Sequence, residues 1–278
     1  MKVVVIGKNG QLASCLKEVA PKGLDITFYG SDEFDITRSD TYEPLASSNL
    51  IINCSAYTAV DKAEECPEDA FALNRKGVIQ LVEFCERHQI KLIHFSTDFV
   101  FSGEGLYPYK EEDFTGPKSI YGASKLAGEE VILQSSLSAL VIRTSWLYSP
   151  YGNNFCKTML RLGSERSKLS VVADQIGAPT SALDLARTVF EIIQMGLPKT
   201  PELLQISNTG QCSWADFARE IFRQKNLSAT VNDTTTEAFN APAKRPKYSV
   251  LSTEKLLFKY GIAIRPWKEA LSEVLKRL

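Results

Sequence analysis

The sequence predicts an α/β fold with a doubly wound parallel sheet and a smaller lobe towards the C-terminus. Two observations lead there. Short apolar runs alternate with longer amphipathic segments through the first half, and the alternation loosens after Trp146. Lys2–Ile6, Asp25–Tyr29, Leu50–Cys54, Lys91–Ser96 and Ala139–Thr144 read as strands, rich in β-formers and bounded by polar residues or glycine. Gln11–Ala20, Pro67–Arg87 and Pro117–Gln134 read as helices between them; in the second, Ala70, Leu73, Gly77, Leu81 and Phe84 recur at helical spacing. Such alternation implies βαβ units with right-handed crossovers. Further on, helices are expected at Asn154–Arg166, Ala182–Met195 and Trp214–Gln224, and a strand at Leu203–Ser207 that rejoins the sheet. Asp233–Lys247 reads as an extended crossing loop. The division drawn is 1–146 for the first domain and 147–278 for the second lobe, with segments near 168–207 returning to the first.

Composition narrows the partners. Thirty-two basic residues face thirty-three acidic ones, so there is no electrostatic reason to expect nucleic acid or an anionic membrane. An anionic ligand must be held by local groups. No stretch approaches the roughly 18 apolar residues of a spanning helix, and the amino-terminal apolar run is shorter than a signal-peptide core. Cys15, Cys54, Cys66, Cys85, Cys156 and Cys212 are scattered, without a CxxC and without clustering with His88 and His94. They read as reduced thiols of a cytoplasmic protein, with no zinc site.

Gly7-Lys8-Asn9-Gly10-Gln11-Leu12-Ala13 follows the first strand and opens the first helix. Glycines three apart let the backbone turn tightly and approach a pyrophosphate, whose charge the helix N-terminus stabilises. A plain tight turn would use the same residues, but the βαβ context makes this a dinucleotide cradle on a Rossmann-type domain. Ala13 replaces the glycine that often stands third, a change that helix–strand packing tolerates. After the second strand, Tyr29-Gly30-Ser31 offers no carboxylate before Asp32. That favours NADPH over NADH, with NADH also accepted, since no arginine stands there either.

Tyr121-Gly122-Ala123-Ser124-Lys125 puts a phenol and an ammonium on one helical face. A phenol of pKa about 10 is a poor acid–base catalyst at neutral pH, and a nearby lysine is expected to lower it. Alone the pair could be a surface lysine beside a half-buried tyrosine. However, the fourth strand ends in His94-Phe95-Ser96-Thr97-Asp98, where an open α/β sheet binds its ligands. Thr97 can there hydrogen-bond a carbonyl that Tyr121 protonates. In that order, cradle, strand-end hydroxyl and Y-x-x-x-K predict a carbonyl reductase.

The strings GKNGQLA, NCSAYTAVDKAEECPE, HFSTDFVFSGEG, YGASKLAGEE, RTSWLY, GNNFCKTMLRL, DQIGAPT and RPKYSVLSTEK resemble the motif series of the dTDP-4-dehydrorhamnose reductase family, an extended short-chain dehydrogenase group, from end to end. The resemblance implies a 4-ketoreductase of a dTDP-linked 6-deoxyhexose that yields dTDP-L-rhamnose, with the second lobe binding substrate. It implies Tyr121 as general acid, Lys125 as its partner and a ribose contact, and Thr97 as the carbonyl-orienting hydroxyl. Gly10, Gln11 and Leu12 would contact the pyrophosphate beside Gly7, Asp35 and Ile36 the adenine, and Ala56, Tyr57 and Thr58 the nicotinamide side. Asp98 and Trp146 would touch the sugar, and Arg245 the diphosphate. Trp146 could equally be a core residue, and Arg245 a solvated arginine between Lys244 and Lys247. Some family members form a magnesium-bridged dimer through a carboxylate on the first helix; here Cys15 stands at that place, so Mg2+ is doubtful, and a monomer or homodimer is expected. Two rivals share the scaffold: an epimerase or dehydratase, and a non-catalytic regulatory subunit. Dehydratases place two carboxylates beside the strand-end threonine, whereas here Asp98 is followed by Phe99.

Overall fold

A computed structural model describes all 278 residues. Six parallel strands form the central sheet in the order Asp25–Tyr29, Lys2–Ile6, Leu50–Asn53, Lys91–Thr97, Ala139–Thr144, Glu202–Gln205. The inner strands are buried on both faces, and their side chains divide with a period of two. Val3, Val5, Leu50, Ile52, Leu140 and Ile142 enter the larger core, while Val4, Ile6, Ile51 and Val141 enter the smaller one. Each such side chain contributes about 1.5–3 kcal/mol by leaving water. The larger core lies against the helices Gln11–Val19, Ala182–Met195, Trp214–Gln224 and Trp267–Leu275; the smaller lies under Gly77–His88. The first strand sits between the second and third, so the chain reverses direction across the sheet there and opens a crevice at the carboxyl ends of the strands.

Several expected elements differ in detail. The helix expected over Pro67–Arg87 is three pieces: Pro67–Phe71, a π-helical turn at Ala72–Lys76, and Gly77–His88. The cause is a close crossing. A Cβ on Gly128 would lie 2.2 Å from the Asn74 carbonyl, and the buried Asn74 amide is drawn to Tyr57 and Ser124, so one extra residue is looped into the turn. A helix at Val60–Glu65 was not anticipated. The helix expected from Pro117 starts at Ile120, because the Ser119 hydroxyl caps it by accepting from Gly122 N–H at 3.1 Å.

The last sheet strand is Glu202–Gln205, slightly earlier than expected. Lys168–Val172 pairs with Thr230–Thr234 outside the main sheet, while Ala182–Met195 packs on the first helix. The crossing loop expected at Asp233–Lys247 is partly ordered: it holds the end of Thr230–Thr234 and a short helix, Thr236–Phe239, capped by Thr235. No helix is long and apolar enough to cross a membrane, and all six cysteines are free.

Candidate active site

Two adjoining cavities open along the crevice, one of about 720 Å³ and one of about 350 Å³, and they share Asn9, Gly10, Cys54 and Ala56. Their floor is the turn after the first strand. Gly7 has φ +91°, and a Cβ there would come within 2.9 Å of Ser55 N. Gly10 opens the helix Gln11–Val19 with no side-chain cap, so the first N–H groups of that helix have no side-chain partner and can bind an anion. Gly7→Ala is expected to cost about 1–3 kcal/mol from backbone strain, read as a lower Tm, and to weaken dinucleotide binding in the same protein. Gln11 lines the larger cavity with its side-chain oxygen already engaged: Oε1 accepts from the Ser149 hydroxyl (3.0 Å) and Asn154 Nδ2 (2.9 Å), tying the 149–154 segment over the helix N-terminus. Leu12 is buried beneath it.

The smaller cavity takes in Gly7, Asp35 and Ile36 as expected. Asp35 Oδ1 accepts from the Thr37 N–H and hydroxyl and closes the turn. The reading of the second strand's end needs correction. The chain folds back after Tyr29, with Phe34 N–H donating to Gly30 O at 2.9 Å, and this brings Glu33 to the strand end. Glu33 Oε2 accepts from Gly30 N–H at 3.0 Å and from Lys8 Nζ at 2.5 Å, with Asp32 3.9 Å from the same ammonium. A carboxylate does stand there, but it is paired, and Lys8 holds it below the usual carboxylate range.

The larger cavity collects Thr97, Asp98, Tyr121, Lys125, Trp146 and Arg245. These come from two strand ends, one helix and the C-terminal segment. Ala56 and Thr58 line it, but Tyr57 lines neither cavity. Its backbone is clasped by Asn74 instead (N–H to Oδ1, 2.9 Å), and its hydroxyl is buried without a partner. Thr97 Oγ1 donates to Asp98 Oδ1 at 3.0 Å and accepts from Phe99 N–H. Three buried polar atoms on this floor have no partner: Ser96 Oγ, Asp98 Oδ2 and Thr144 Oγ1. Buried groups are normally satisfied, so the cleft is built to be completed by a polar ligand. Ser96, read from the sequence only as part of the strand end, lines it together with Thr144 and Trp214, and none of the three was given a role there. Ser96 and Thr144 were findable as strand-end hydroxyls; Trp214 carries no local signal.

Burial dominates the electrostatics. It raises the Tyr121 phenol to about 12, against a smaller lowering by Thr97. The expected lowering by Lys125 is absent, because that ammonium is turned to Phe95 O, which accepts from Nζ at 2.6 Å. Burial likewise lowers Lys125 to about 8, with Glu129 opposing the shift. His94 sits beneath it, with Nε2 3.3 Å from Nζ and Nδ1 3.0 Å from Asn53 Nδ2. Asn53 Oδ1 is taken by Ser55, so the Asn53 amide donates to Nδ1 and the imidazole proton falls on Nε2, facing Lys125. That dipole disfavours the charged amine. Burial raises Asp98 to about 6. Arg245 is anchored, not free in solvent: Nη2 donates to Asp61 Oδ2 at 2.7 Å, and Asp61 Oδ1 accepts from Ala243 N–H at 3.1 Å. Cys15 is fully buried in the larger core and its thiol is raised to about 12; the carboxylate that the first helix does carry, Glu18, pairs with Arg277 and accepts from the Tyr151 hydroxyl at 2.8 Å.

An uncapped helix N-terminus at the sheet's switch point, continuous with a cleft holding threonine, tyrosine and lysine, defines an extended short-chain dehydrogenase. The chain belongs to the family described as RmlD substrate binding domain, which matches residues 1–278. It is 41% identical to the dTDP-4-dehydrorhamnose reductase of Sinorhizobium fredii, over 97% of this chain and 95% of that protein. Among solved structures, a dTDP-4-dehydrorhamnose reductase from Clostridium acetobutylicum superposes with a TM-score of 0.94 at 39% identity, covering 99% of both chains. The Bacillus anthracis enzyme, solved in complex with NADP, gives 0.94 at 38% identity and covers 100% of both.

Proposed function

We infer that this chain is an NADPH-dependent sugar-nucleotide ketoreductase that reduces dTDP-4-dehydro-6-deoxy-L-mannose to dTDP-L-rhamnose, with NADH also accepted. The carrying observation is that Thr97, Tyr121 and Lys125 meet in one cleft that runs on into the cradle at Gly10. The residues fit a dinucleotide: Gly7 and Gly10 leave room for a pyrophosphate, the uncapped helix would hold its charge, and the smaller cavity would take the adenosine half beside Asp35 and Ile36. When bound, the reduced nicotinamide supplies the hydride. Lys8 neutralises the Glu33 carboxylate, which supports acceptance of a 2′-phosphate.

The chain's own groups handle the oxygen. Tyr121 stays protonated at neutral pH, since burial holds its phenol near 12. It is therefore ready to give its proton to an alkoxide, which is a far stronger base than phenolate. The Thr97 hydrogen, donated to Asp98 in the free chain, re-aims at the sugar carbonyl and stabilises the developing charge. The freed Asp98 oxygens then accept sugar hydroxyls. Arg245, held by Asp61, faces the diphosphate with its remaining donors. The first domain (1–146, with the returning segments) binds cofactor, and the second lobe binds substrate. The reading places the enzyme in the cytoplasm as a monomer or homodimer, acting without nucleic acid. Phe99 beside Asp98 supports simple reduction over dehydration, and the intact Thr97, Tyr121 and Lys125 support an enzyme over a regulatory subunit.

Dinucleotide affinity is expected to fall as pH rises through about 8, because Lys125 is charged below that value and neutral above it. Fluorescence titration of NADPH from pH 6.5 to 9.5 reads this, and Lys125→Met should show the weaker affinity throughout; a flat wild-type profile contradicts it. The function itself is tested by following dinucleotide oxidation with dTDP-4-dehydrorhamnose, NADPH and NADH in parallel. Turnover with NADPH supports the reading, and an inert protein refutes it.

A further inference from the structure

Trp146 is held in an unusual way. Its backbone has φ +46°, a left-handed conformation that a bulky side chain rarely adopts, and its carbonyl accepts from Thr180 N–H at 3.2 Å. The strained backbone aims the indole into the cleft, where it meets Trp214 face to face, with ring centroids 3.5 Å apart and planes within 5°. Gly177 packs against the same indole; a Cβ there would lie 2.5–2.7 Å from three of its atoms. Trp214 is fixed in turn. Its Nε1–H donates to Gln175 Oε1 at 3.2 Å, and the buried Gln175 is oriented by Nε2 donating to Thr236 Oγ1 at 3.0 Å. Phe155 closes the group 4.6 Å from Trp214.

Trp146, Trp214 and Phe155 all line the larger cavity, and all three are only part-buried. A core packing cluster would have no need to keep two indoles at the wall of a polar cleft, nor to strain the backbone of one of them. The indoles cover each other's inner faces, and Gly177 packs on Trp146 as well. What the pair turns to the cleft is the rims of both rings, a fixed apolar surface that suits the C–H groups and the methyl of a deoxyhexose.

We propose that Trp214 is a substrate-binding residue, forming with Trp146 a single rigid aromatic wall for the apolar face of the deoxyhexose, and that Gln175 is the positioning residue that fixes it. This rests on the reductase reading above and deepens it. Trp214 comes from a helix far along the chain from the reacting groups, so it governs where the sugar lies, not the chemistry at its carbonyl. Trp214 is supplied by the second lobe, and Trp146 by the end of the first domain, which also holds the cofactor cradle.

The test uses steady-state kinetics and intrinsic fluorescence of the whole chain. For Trp214→Leu, KM for dTDP-4-dehydrorhamnose should rise by about tenfold or more, with kcat changed by less than about threefold and NADPH affinity unaltered. Trp214→Phe should recover most of the loss, and Gln175→Met should raise KM by a smaller factor. The chain has only three tryptophans, and Trp267 is buried, so substrate quenching reports on the pair. Quenching by the nucleotide sugar should persist in Trp146→Phe, which also keeps the test valid if Trp214→Leu fails to fold. An unaltered KM in a folded Trp214→Leu, or quenching lost entirely in Trp146→Phe, overturns the assignment while leaving the reductase reading in place. A wild-type protein inert towards this sugar overturns both.

Discussion

Tyr121→Phe is expected to lower kcat by about 10²–10⁴-fold, the range that a single positioned proton donor contributes. NADPH affinity should stay within about twofold, because the phenol hydroxyl is removed while the ring and its edge-on contact with Phe99 (centroids 5.6 Å apart) remain. The loss should be nearly constant from pH 6 to 9, since the phenol of the free chain titrates far above that window. Single-turnover kinetics measure it directly. Turnover within a few-fold of wild type would show that the proton comes from elsewhere in the cleft, with Asp98 the first group to examine.

Glu129→Ala should produce the largest loss of stability. Glu129 and Arg143 form an ion pair 0% and 3% exposed, joined by Nε to both carboxylate oxygens at 3.1 Å and by Nη2 at 2.8 Å. Removing the carboxylate strands a buried guanidinium, which costs about 3–5 kcal/mol. That is a large share of the roughly 5–15 kcal/mol that holds a typical domain folded. The urea midpoint reads this. Removing both charges with apolar residues of similar volume should recover most of it, because the cost lies in the unpaired charge. Glu129 also lies one turn from Lys125 and favours its charged form, so its loss should shift the alkaline fall in NADPH affinity to lower pH. A Glu129→Ala protein as stable as wild type would contradict the account of this pair.

The sheet was legible because its inner strands are short and mostly apolar, as strands covered on both faces of a parallel sheet must be, and its edge strands are still rich in β-formers or leucine. The reacting groups were legible because their spacing is local: a helical turn sets Tyr121 against Lys125, and a strand end sets Thr97. What escaped the sequence depends on contacts between distant segments. The π-helical turn at Ala72–Lys76 arises where Gly128 meets the Asn74 carbonyl, and neither residue announces the other. Glu33 reaches Gly30 only because the following turn folds back. The anchoring of Arg245 by Asp61 joins positions 184 residues apart. Trp214 reads as an ordinary first residue of a capped helix until Trp146 is seen stacked upon it. The direction of the Tyr121 shift was missed for a related reason: helical spacing brings the lysine near, but only the fold shows that its ammonium is given to Phe95 and that burial prevails.

The most direct test of the central claim follows the hydrogen. Turnover of dTDP-4-dehydrorhamnose with NADPH deuterated at the transferable position of the nicotinamide should give dTDP-rhamnose bearing one deuterium, at C4 of the sugar, with one NADPH consumed per product. Product formed without that label, or an isomerised sugar formed with no net NADPH consumption, would contradict direct reduction at this cleft.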